Sequence, residues 1–323
     1  MTSQIHMPAA VNRQHAIEIP SSLREHLADS WEAFTEASHE AHCPIPRNPD
    51  FTASLLRVWA CSEFVRQACI QEPTILQGLL GRGDLLADYA SGEYQRKLGR
   101  VLSAVNDEGE LSKQLRLFRR QEMLRIAWRD LAGWASLDEV LHDLSSLADA
   151  SISGSLDYLG RQALERLKIP AKKFTPGLVV LGMGKLGARE LNFSSDVDLI
   201  LAYPDAEPVW KKRRQTPEEF YLQLGRQLVR LLDEQTEHGF VFRVDMRLRP
   251  YGDSGPLVAN FDALADYYQL HGREWERYAM IKARAVAGPA AEARELMKLL
   301  HPFVYRRYLD FGAFDSLRSL KEQ

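Results

Sequence analysis

The chain has 323 residues and is close to neutral, with 41 lysines and arginines, 44 aspartates and glutamates, and a formal net charge of −3. This balance gives no electrostatic reason to expect binding to nucleic acid or to an anionic membrane. The three cysteines lack CxxC spacing, which argues against a disulfide framework or a zinc site. Because there is no long apolar segment and the first stretch is polar, no membrane span or signal peptide is expected. The sequence therefore predicts a globular, cytoplasmic chain of two domains.

The first half of the chain is predicted to be helical. Residues 1–20 are expected to form a polar tail and residues 21–170 a helical region, because apolar side chains recur at helical spacing between capping and breaking residues. The main predicted helices cover residues 21–38, 51–68, 73–80 and 111–133. The helix at 111–133 carries five arginines. From the residues alone, these arginines either form a solvated face or pack toward a functional site.

A glycine-rich turn follows an apolar run in the second half of the chain. Residues 178–181 predict a buried strand, and the next six residues read Gly-Met-Gly-Lys-Leu-Gly. This spacing fits the dinucleotide fingerprint, but the next strand begins only about nine residues after Gly187, too soon for a Rossmann crossover helix. The Walker pattern fails as well, because Lys185 lies inside the glycines and no Ser or Thr follows it.

The glycine turn is better explained as a phosphate site. Backbone N–H groups around Gly184 and Gly187, together with the ammonium group of Lys185, are expected to contact phosphate oxygens. Ser194 and Ser195 precede the following strand. They are explained equally well as further phosphate contacts and as caps of the turn.

Two aspartates open the next apolar run. Asp196 and Asp198 are two residues apart, so on a strand both carboxylates point to the same side. Neighbouring like charges are costly unless a cation lies between them, and carboxylate oxygens are suitable ligands for Mg²⁺. An isolated Asp-x-Asp is more often a solvated strand end, but the upstream glycine turn favours a magnesium site.

A third acid is predicted on a later strand. Residues 240–249 alternate between apolar and charged side chains, which predicts a half-buried strand. Its polar face carries Asp245 together with Arg243, Arg247 and Arg249. Alone, such a face is usually charge-compensated surface. Beside an Asp-x-Asp motif, Asp245 is predicted to be a third metal ligand, and Arg247 and Arg249 to neutralise charge on a nucleotide or on phosphate.

The remaining residues predict two further helices and one further strand. The helices are expected at residues 217–237 and 261–271, and a short strand within residues 280–287. If this strand joins the sheet, Lys282 and Arg284 would share a face that meets the phosphates.

This layout resembles the nucleotidyltransferase superfamily related to polymerase β, in which a glycine turn precedes Asp-x-Asp and a third acid comes from a later strand. Lys185 departs from the usual Gly or Ser at its position in the turn, so the phosphate contact would be a side-chain ammonium rather than a hydroxyl. The resemblance implies an α+β fold, in which a helical N-terminal region precedes a polymerase-β-like core with a small mixed sheet. The core is placed at residues 171–288, and residues 289–323 are expected to begin a truncated region of C-terminal helices.

A more specific resemblance is carried by residues 182–187, 190–198 and 244–252. These stretches are similar to the bifunctional glutamine synthetase adenylyltransferase/adenylyl-removing enzymes of bacteria, which contain two nucleotidyltransferase domains. The wording Glu-Leu-Asn-Phe-Ser-Ser-Asp resembles the N-terminal, adenylyl-removing domain. The adenylylating domain usually reads closer to Glu-Met-Thr-x-x-Ser-Asp-Leu-Asp, and no second copy of the motif occurs in this sequence.

The resemblance implies phosphorolysis of the AMP–tyrosine bond on adenylylated glutamine synthetase with release of ADP, and control by a PII signalling protein. Asp196, Asp198 and Asp245 would be the catalytic residues and would bind one or two Mg²⁺ ions. Two alternatives stay open: transfer of AMP from ATP to glutamine synthetase, and a module that only senses nucleotide or docks a partner. The acidic triplet argues against the module, because pure binding does not need three clustered carboxylates.

Overall fold

A computed structural model describes residues 20–170, 172, 174–205 and 215–305. The predicted polar tail lies outside these residues except for Pro20, and so do residues 306–323 of the predicted C-terminal region. The described residues form twelve α-helices and one five-stranded mixed sheet, with helices at both ends. The α+β class predicted from the sequence is confirmed.

The helices and strands follow one another in an order that places the whole sheet after residue 178. The helices are α1 (Ser21–Glu40), α2 (Pro49–Cys61), α3 (Glu63–Gln71), α4 (Pro73–Gly81), α5 (Glu93–Leu102), α6 (Glu108–Ala132), α7 (Leu137–Arg166), α8 (Gly184–Gly187), α9 (Pro217–Asp233), α10 (Phe261–Leu270), α11 (Glu274–Ile281) and α12 (Ala290–Val304). The strands are β1 (Val179–Gly182), β2 (Val197–Tyr203), β3 (Val244–Asp245), β4 (Val258–Asn260) and β5 (Arg284–Ala287). Among the described helices, none is both long enough and apolar enough to cross a membrane.

The chain folds as two compact units. The first contains Met1–Ser91 and Phe118–Asp143, and the second contains Gly92–Leu117 and Leu144–Gln323. The second unit therefore includes part of the predicted helical region as well as the predicted catalytic core. The domain boundaries expected at residues 170 and 288 stay a prediction.

The first unit is organised around an aromatic core. Trp31 and Phe34 of α1 contact Trp59 of α2, with ring centroids 6.3 and 5.6 Å from that ring. Phe51 of α2 stacks on Trp128 of α6 at 5.1 Å. All five rings are almost completely buried. Burial of these large apolar surfaces is the main stabilising term of this unit.

The predicted helix at 51–68 is wrong, because two helices occupy this stretch. Ser62 separates α2 from α3 in an extended conformation, with φ −145°, and its hydroxyl accepts a hydrogen bond from the backbone N–H of Val65. Ser62 is thus the N-cap of α3, and its side chain satisfies an N–H group that the helix itself leaves without a partner.

Three arginines of α6 are buried, so the long helix is not simply a solvated basic face. Arg125 pairs with Asp143 at 2.8 Å in the first unit, and Arg129 pairs with Glu139 at 2.6 Å. Arg116, in the second unit, donates to the carbonyl oxygens of Gly239 and Glu234 at 2.7 and 2.5 Å. These arginines satisfy carboxylates and carbonyls within their own units, which is how buried guanidinium groups are tolerated.

The second unit is built on the mixed sheet. The strand order is β3-β2-β1-β5, with β1 antiparallel to both β2 and β5. β3 and β4 both pair in parallel with β2, on the edge opposite β1. Apolar residues of β1 and β2 pack against α10 and α12, with Val179, Leu181, Ile200, Leu264 and Leu296 in the core. This core fixes the two strands that flank the glycine turn.

The predicted strand at 240–249 is mostly wrong, since only Val244–Asp245 pair with β2. Before this pair, the backbone N–H groups of Val241 and Phe242 both donate to the carbonyl of Leu232 in α9. After it, the carboxylate of Asp245 accepts the backbone N–H of Arg247 at 2.8 Å. The chain bends before β3 and turns after it. Because bends and turns also point neighbouring side chains in different directions, the alternation of apolar and charged residues does not require a long strand here.

Candidate functional site

The glycine turn joins β1 to β2 and brings Gly184 beside Asp198. Gly184 has φ +51°, a left-handed conformation that favours glycine. A Cβ atom at this position would lie 2.9 Å from Oδ2 of Asp198. The backbone N–H of Met183 also donates to the carbonyl of Asp198 at 2.9 Å. The turn and the acidic strand are therefore in direct contact, as their spacing predicted.

Gly187 closes the turn where two backbone segments meet. A Cβ atom on Gly187 would lie 2.0 Å from the carbonyl oxygen of Lys282 and 2.6 Å from that of Gly182. No side chain fits this gap, so glycine is required for packing. Lys185 lies between the two glycines with an exposed side chain. Its predicted phosphate contact stays a prediction.

Two of the three predicted acids are neighbours in the sheet. β2 and β3 are parallel, and Asp198 lies opposite Asp245 in their register. Burial raises the pKa of Asp198, and the nearby charges of Asp245 and Asp196 raise it further. The structure thus brings the acids close enough for their carboxylates to interact electrostatically.

Asp245 has a different electrostatic environment. The guanidinium of Arg247 donates from Nε to both carboxylate oxygens, at 3.0 and 2.9 Å, and from Nη2 to Oδ2 at 2.5 Å. These side-chain hydrogen bonds hold the pKa of Asp245 below its usual range, against the opposing effect of burial. The side chain of Arg247 is 75% exposed while that of Asp245 is 15% exposed, so the arginine covers the carboxylate from the solvent side.

Asp196 is paired with an arginine that was not among the predicted site residues. Arg243 donates from Nε to Oδ1 of Asp196 at 2.5 Å and from Nη2 to the carbonyl of Ser194 at 2.7 Å. The sequence placed Arg243 on the same polar face as Asp245 but gave no sign that it reaches the Asp-x-Asp motif. The parallel pairing of β2 with β3 is what brings the two together.

The other predicted phosphate contacts have local partners. Arg249 donates to the carbonyl of Met246 at 2.7 Å, and its side chain is 11% exposed. The hydroxyl of Ser195 donates to Oδ1 of Asn192 at 2.6 Å. This is the contact expected of a residue that closes the turn before β2. Roles for Arg249, Ser194 and Ser195 at a phosphate stay predictions.

The expected strand face shared by Lys282 and Arg284 is not formed, because β5 begins at Arg284. A phosphate contact by either residue stays a prediction. Arg284 forms two hydrogen bonds to Asp149 of α7, at 2.8 and 3.0 Å. Lys282 precedes β5 and pairs with Glu190 at 2.9 Å. Sequence reasoning missed Asp149, because no motif marks a single acid within a helix.

The donors around Asp198 fit a magnesium ion in their chemistry. Carboxylate oxygens are the protein ligands that Mg²⁺ prefers, and Asp198 and Asp245 present two of them side by side. In the parts of the chain that the structure describes, no three His, Cys, Asp or Glu side chains are arranged as a metal site. Asp196 would have to leave its ion pair with Arg243 to become a third ligand. Magnesium binding by the three acids therefore stays a prediction.

A small mixed sheet, a glycine turn next to an acidic strand and a further acid on a parallel neighbour define the class of nucleotidyltransferase-like proteins. Residues 52–298 match the family model described as glutamate-ammonia ligase adenylyltransferase. The chain therefore belongs to this family.

Curated relatives agree with the family match. The chain is 50% identical over 308 residues to a protein of Nitrosococcus oceani called bifunctional glutamine synthetase adenylyltransferase/adenylyl-removing enzyme, and the match covers 94% of this chain and 32% of the relative. Proteins with the same name from Thioalkalivibrio sulfidiphilus and Pseudomonas syringae pv. tomato are 48% and 46% identical, covering 94% and 95% of this chain. The chain spans about a third of the length of these relatives.

Proposed function

We propose that this chain carries the adenylyl-removing activity of its family. The reaction is phosphorolysis of the bond between AMP and a tyrosine of adenylylated glutamine synthetase, with release of ADP. The observation that best supports nucleotidyl transfer is the pair Asp198 and Asp245, in register on parallel strands and next to Gly184. The wording of residues 190–196, which resembles the adenylyl-removing domain, favours this direction over AMP transfer from ATP.

The proposed reaction exchanges one bond to phosphorus for another. An oxygen of inorganic phosphate bonds to the phosphorus of the AMP group, the bond from that phosphorus to the tyrosine oxygen breaks, and the tyrosine oxygen takes up a proton. Bound Mg²⁺ would supply positive charge at the phosphoryl oxygens. Asp198 and Asp245, joined by Asp196, would hold it.

The basic residues have complementary roles in this proposal. Lys185, exposed on the glycine turn, would contact phosphate oxygens as a point charge. Arg243 and Arg247 are 56% and 75% exposed, so each has room to turn from its aspartate toward a phosphate. Such an exchange would keep both guanidinium groups paired with an anion throughout.

The relatives' name supports the proposed protein substrate, and the proposed regulator rests on the resemblance alone. Adenylylated glutamine synthetase would be the protein substrate, and inorganic phosphate and ADP the small-molecule substrate and product. Control by a PII signalling protein would act through the full-length enzyme. The cytoplasm is where such a reaction would take place.

The direct test measures ADP formed from adenylylated glutamine synthetase, inorganic phosphate and Mg²⁺. We expect Asp198→Asn to lower the rate by about a hundredfold or more, since it removes a carboxylate from the reacting centre. A matched control is Asp266→Asn, which changes an exposed acid on α10 in the same unit. Asp266→Asn should keep the wild-type rate. Chelation of Mg²⁺ should stop the reaction of the wild type and of Asp266→Asn.

Two results would contradict the proposal. If Asp198→Asn is folded and as fast as wild type, the acidic pair is not the reacting centre. If the chain instead transfers AMP from ATP to unmodified glutamine synthetase and forms no ADP from the adenylylated form, it carries the opposite half-reaction.

A further inference from the structure

The glycine turn is held from α7 by a set of polar contacts. The backbone N–H of Leu191 donates to the hydroxyl of Ser145 at 3.1 Å, and this contact is buried. Asp149, one helical turn further along α7, accepts two hydrogen bonds from Arg284. The same guanidinium donates to the carbonyl of Leu186 at 3.0 Å, and its Nε lies 3.3 Å from the carbonyl of Gly187. Arg284 thus links Asp149 to the end of the turn.

The turn needs support of this kind because its own structure is weak. α8 has only four residues, which is too short for a helix to be stable by itself. Arg284 donates to the carbonyls of Leu186 and Gly187 at the end of this helix. The Leu186 carbonyl also accepts the backbone N–H of Arg189 at 3.2 Å. Arg189, just after the helix, has φ +61°, a left-handed conformation that costs about 1 kcal/mol for a residue with a side chain. Such a conformation persists only where the surroundings hold it.

Asp149 is the centre of charge in this set. Its carboxylate is 9% exposed, lies 2.8 Å from Arg284 and also has Nη1 of Arg189 at 3.8 Å. Two guanidinium groups, that of Arg284 on β5 and that of Arg189 just after α8, therefore meet on one shielded carboxylate. The nearby pair Lys282 and Glu190 is about half exposed on both sides. Exposed pairs contribute little, so Asp149 is the stronger anchor.

We infer that Asp149 is a positioning residue which, through Arg284, sets the place of the glycine turn against Asp198 and thereby the affinity for a nucleotide phosphate. The inference rests on the proposed function, in which the turn contacts phosphate. Gly184 leaves no room for even a Cβ atom beside Asp198, so a small shift of the turn changes the space available there. Misplacing a binding group by about 1 Å is enough to change its contribution greatly.

The test compares two aspartates that each pair with an arginine at 2.8 Å and are at most 9% exposed. Asp149→Asn removes the charge that holds Arg284, whereas Asp143→Asn does the same to Arg125 in the first unit. The first readout is the Kd for ADP with Mg²⁺, measured by calorimetry. The second is hydrogen exchange of the backbone N–H groups of residues 187–191. We expect Asp149→Asn to weaken ADP binding about tenfold and to speed exchange, with neither effect in Asp143→Asn.

Two further variants keep the test decisive. Ser145→Ala removes the second contact from α7 without changing any charge, and it should speed exchange at Leu191. Asp149→Glu keeps the charge and should restore part of the lost affinity. Both serve if Asp149→Asn does not fold.

The inference and the proposed function fail in different ways. Wild-type exchange and affinity in Asp149→Asn, with weakened ADP binding in Lys185→Ala, would overturn the inference and leave the phosphate role of the turn intact. Unchanged ADP binding in Lys185→Ala would count against the proposed phosphate contact instead. Equal losses in Asp149→Asn and Asp143→Asn would also overturn the inference, because the effect would then follow from general destabilisation.

Discussion

Gly184 is subject to two separate physical demands. Its φ of +51° disfavours any side chain, and the carboxylate of Asp198 occupies the space where a Cβ atom would stand. Gly92, in the same unit, has φ +81°, but a Cβ atom added there would meet nothing within 4 Å, so it faces only the first demand. Comparing substitutions at Gly184 and Gly92 therefore separates the cost of backbone strain from the cost of displacing the Asp198 carboxylate.

The substitution Gly184→Ala should therefore do more than Gly92→Ala. Both should lower the free energy of unfolding by about 1 kcal/mol through backbone strain. Only Gly184→Ala should weaken Mg²⁺-ADP binding, because only there does the new methyl group push on Asp198. Denaturant unfolding and calorimetric titration of the two variants measure these effects. Equal ADP affinities would show that the contact with Asp198 has no part in binding.

At the residue scale, the two-residue spacing of Asp196 and Asp198 predicted that both lie on one strand. Only Asp198 does, because β2 begins at Val197, and Asp196 precedes the strand. The partner of Asp196 was not predictable, because Arg243 meets it only through the register of β2 with β3. Asp149 was equally hidden, since it lies more than a hundred residues before Arg284 and belongs to no recognisable motif.

At the scale of elements, Ser62 decides where one helix ends and the next begins. Its extended conformation and its hydroxyl bond to Val65 make it the N-cap of α3. We expect Ser62→Ala to lower the free energy of unfolding by about 1 kcal/mol. Ser103→Ala is a suitable control, because this exposed hydroxyl, just after α5, donates to the carbonyl of Arg100 and caps no helix N-terminus. Urea denaturation should show a loss of stability in Ser62→Ala and none in Ser103→Ala. Equal urea midpoints for the two variants would show that the Ser62 hydroxyl does not stabilise α3 as a cap.

Helices whose ends carry local signals are the elements that the sequence predicts best. α1, α4 and the start of α9 follow local signals such as proline and capping residues, and they lie close to their predicted positions. The break at Ser62 has no glycine or proline, so the helical spacing of apolar residues predicted one continuous helix across it. Before β3, the backbone N–H groups of Val241 and Phe242 donate to Leu232 of α9 and not to the sheet. The alternation of apolar and charged residues cannot reveal these hydrogen bonds.

At the scale of the whole molecule, each unit has a core of its own. Leu76 lies in the core of the first unit and Leu181, on β1, in that of the second, and both are completely buried. Leu181 directly precedes the glycine turn, whereas Leu76 belongs to a unit that contains none of the predicted site residues. Substitutions that create a cavity at each of these two positions therefore test which core determines the geometry of the site.

Leu76→Ala and Leu181→Ala should each cost about 2–5 kcal/mol of stability, because each removes a fully buried side chain. Only Leu181→Ala should also weaken binding of ADP with Mg²⁺, since the strand that carries the turn would relax into the cavity. The measurement pairs thermal unfolding with calorimetric titration below the unfolding range. An equal loss of ADP affinity in Leu76→Ala would contradict this prediction, because it would show that the core of the first unit also determines the geometry of the site.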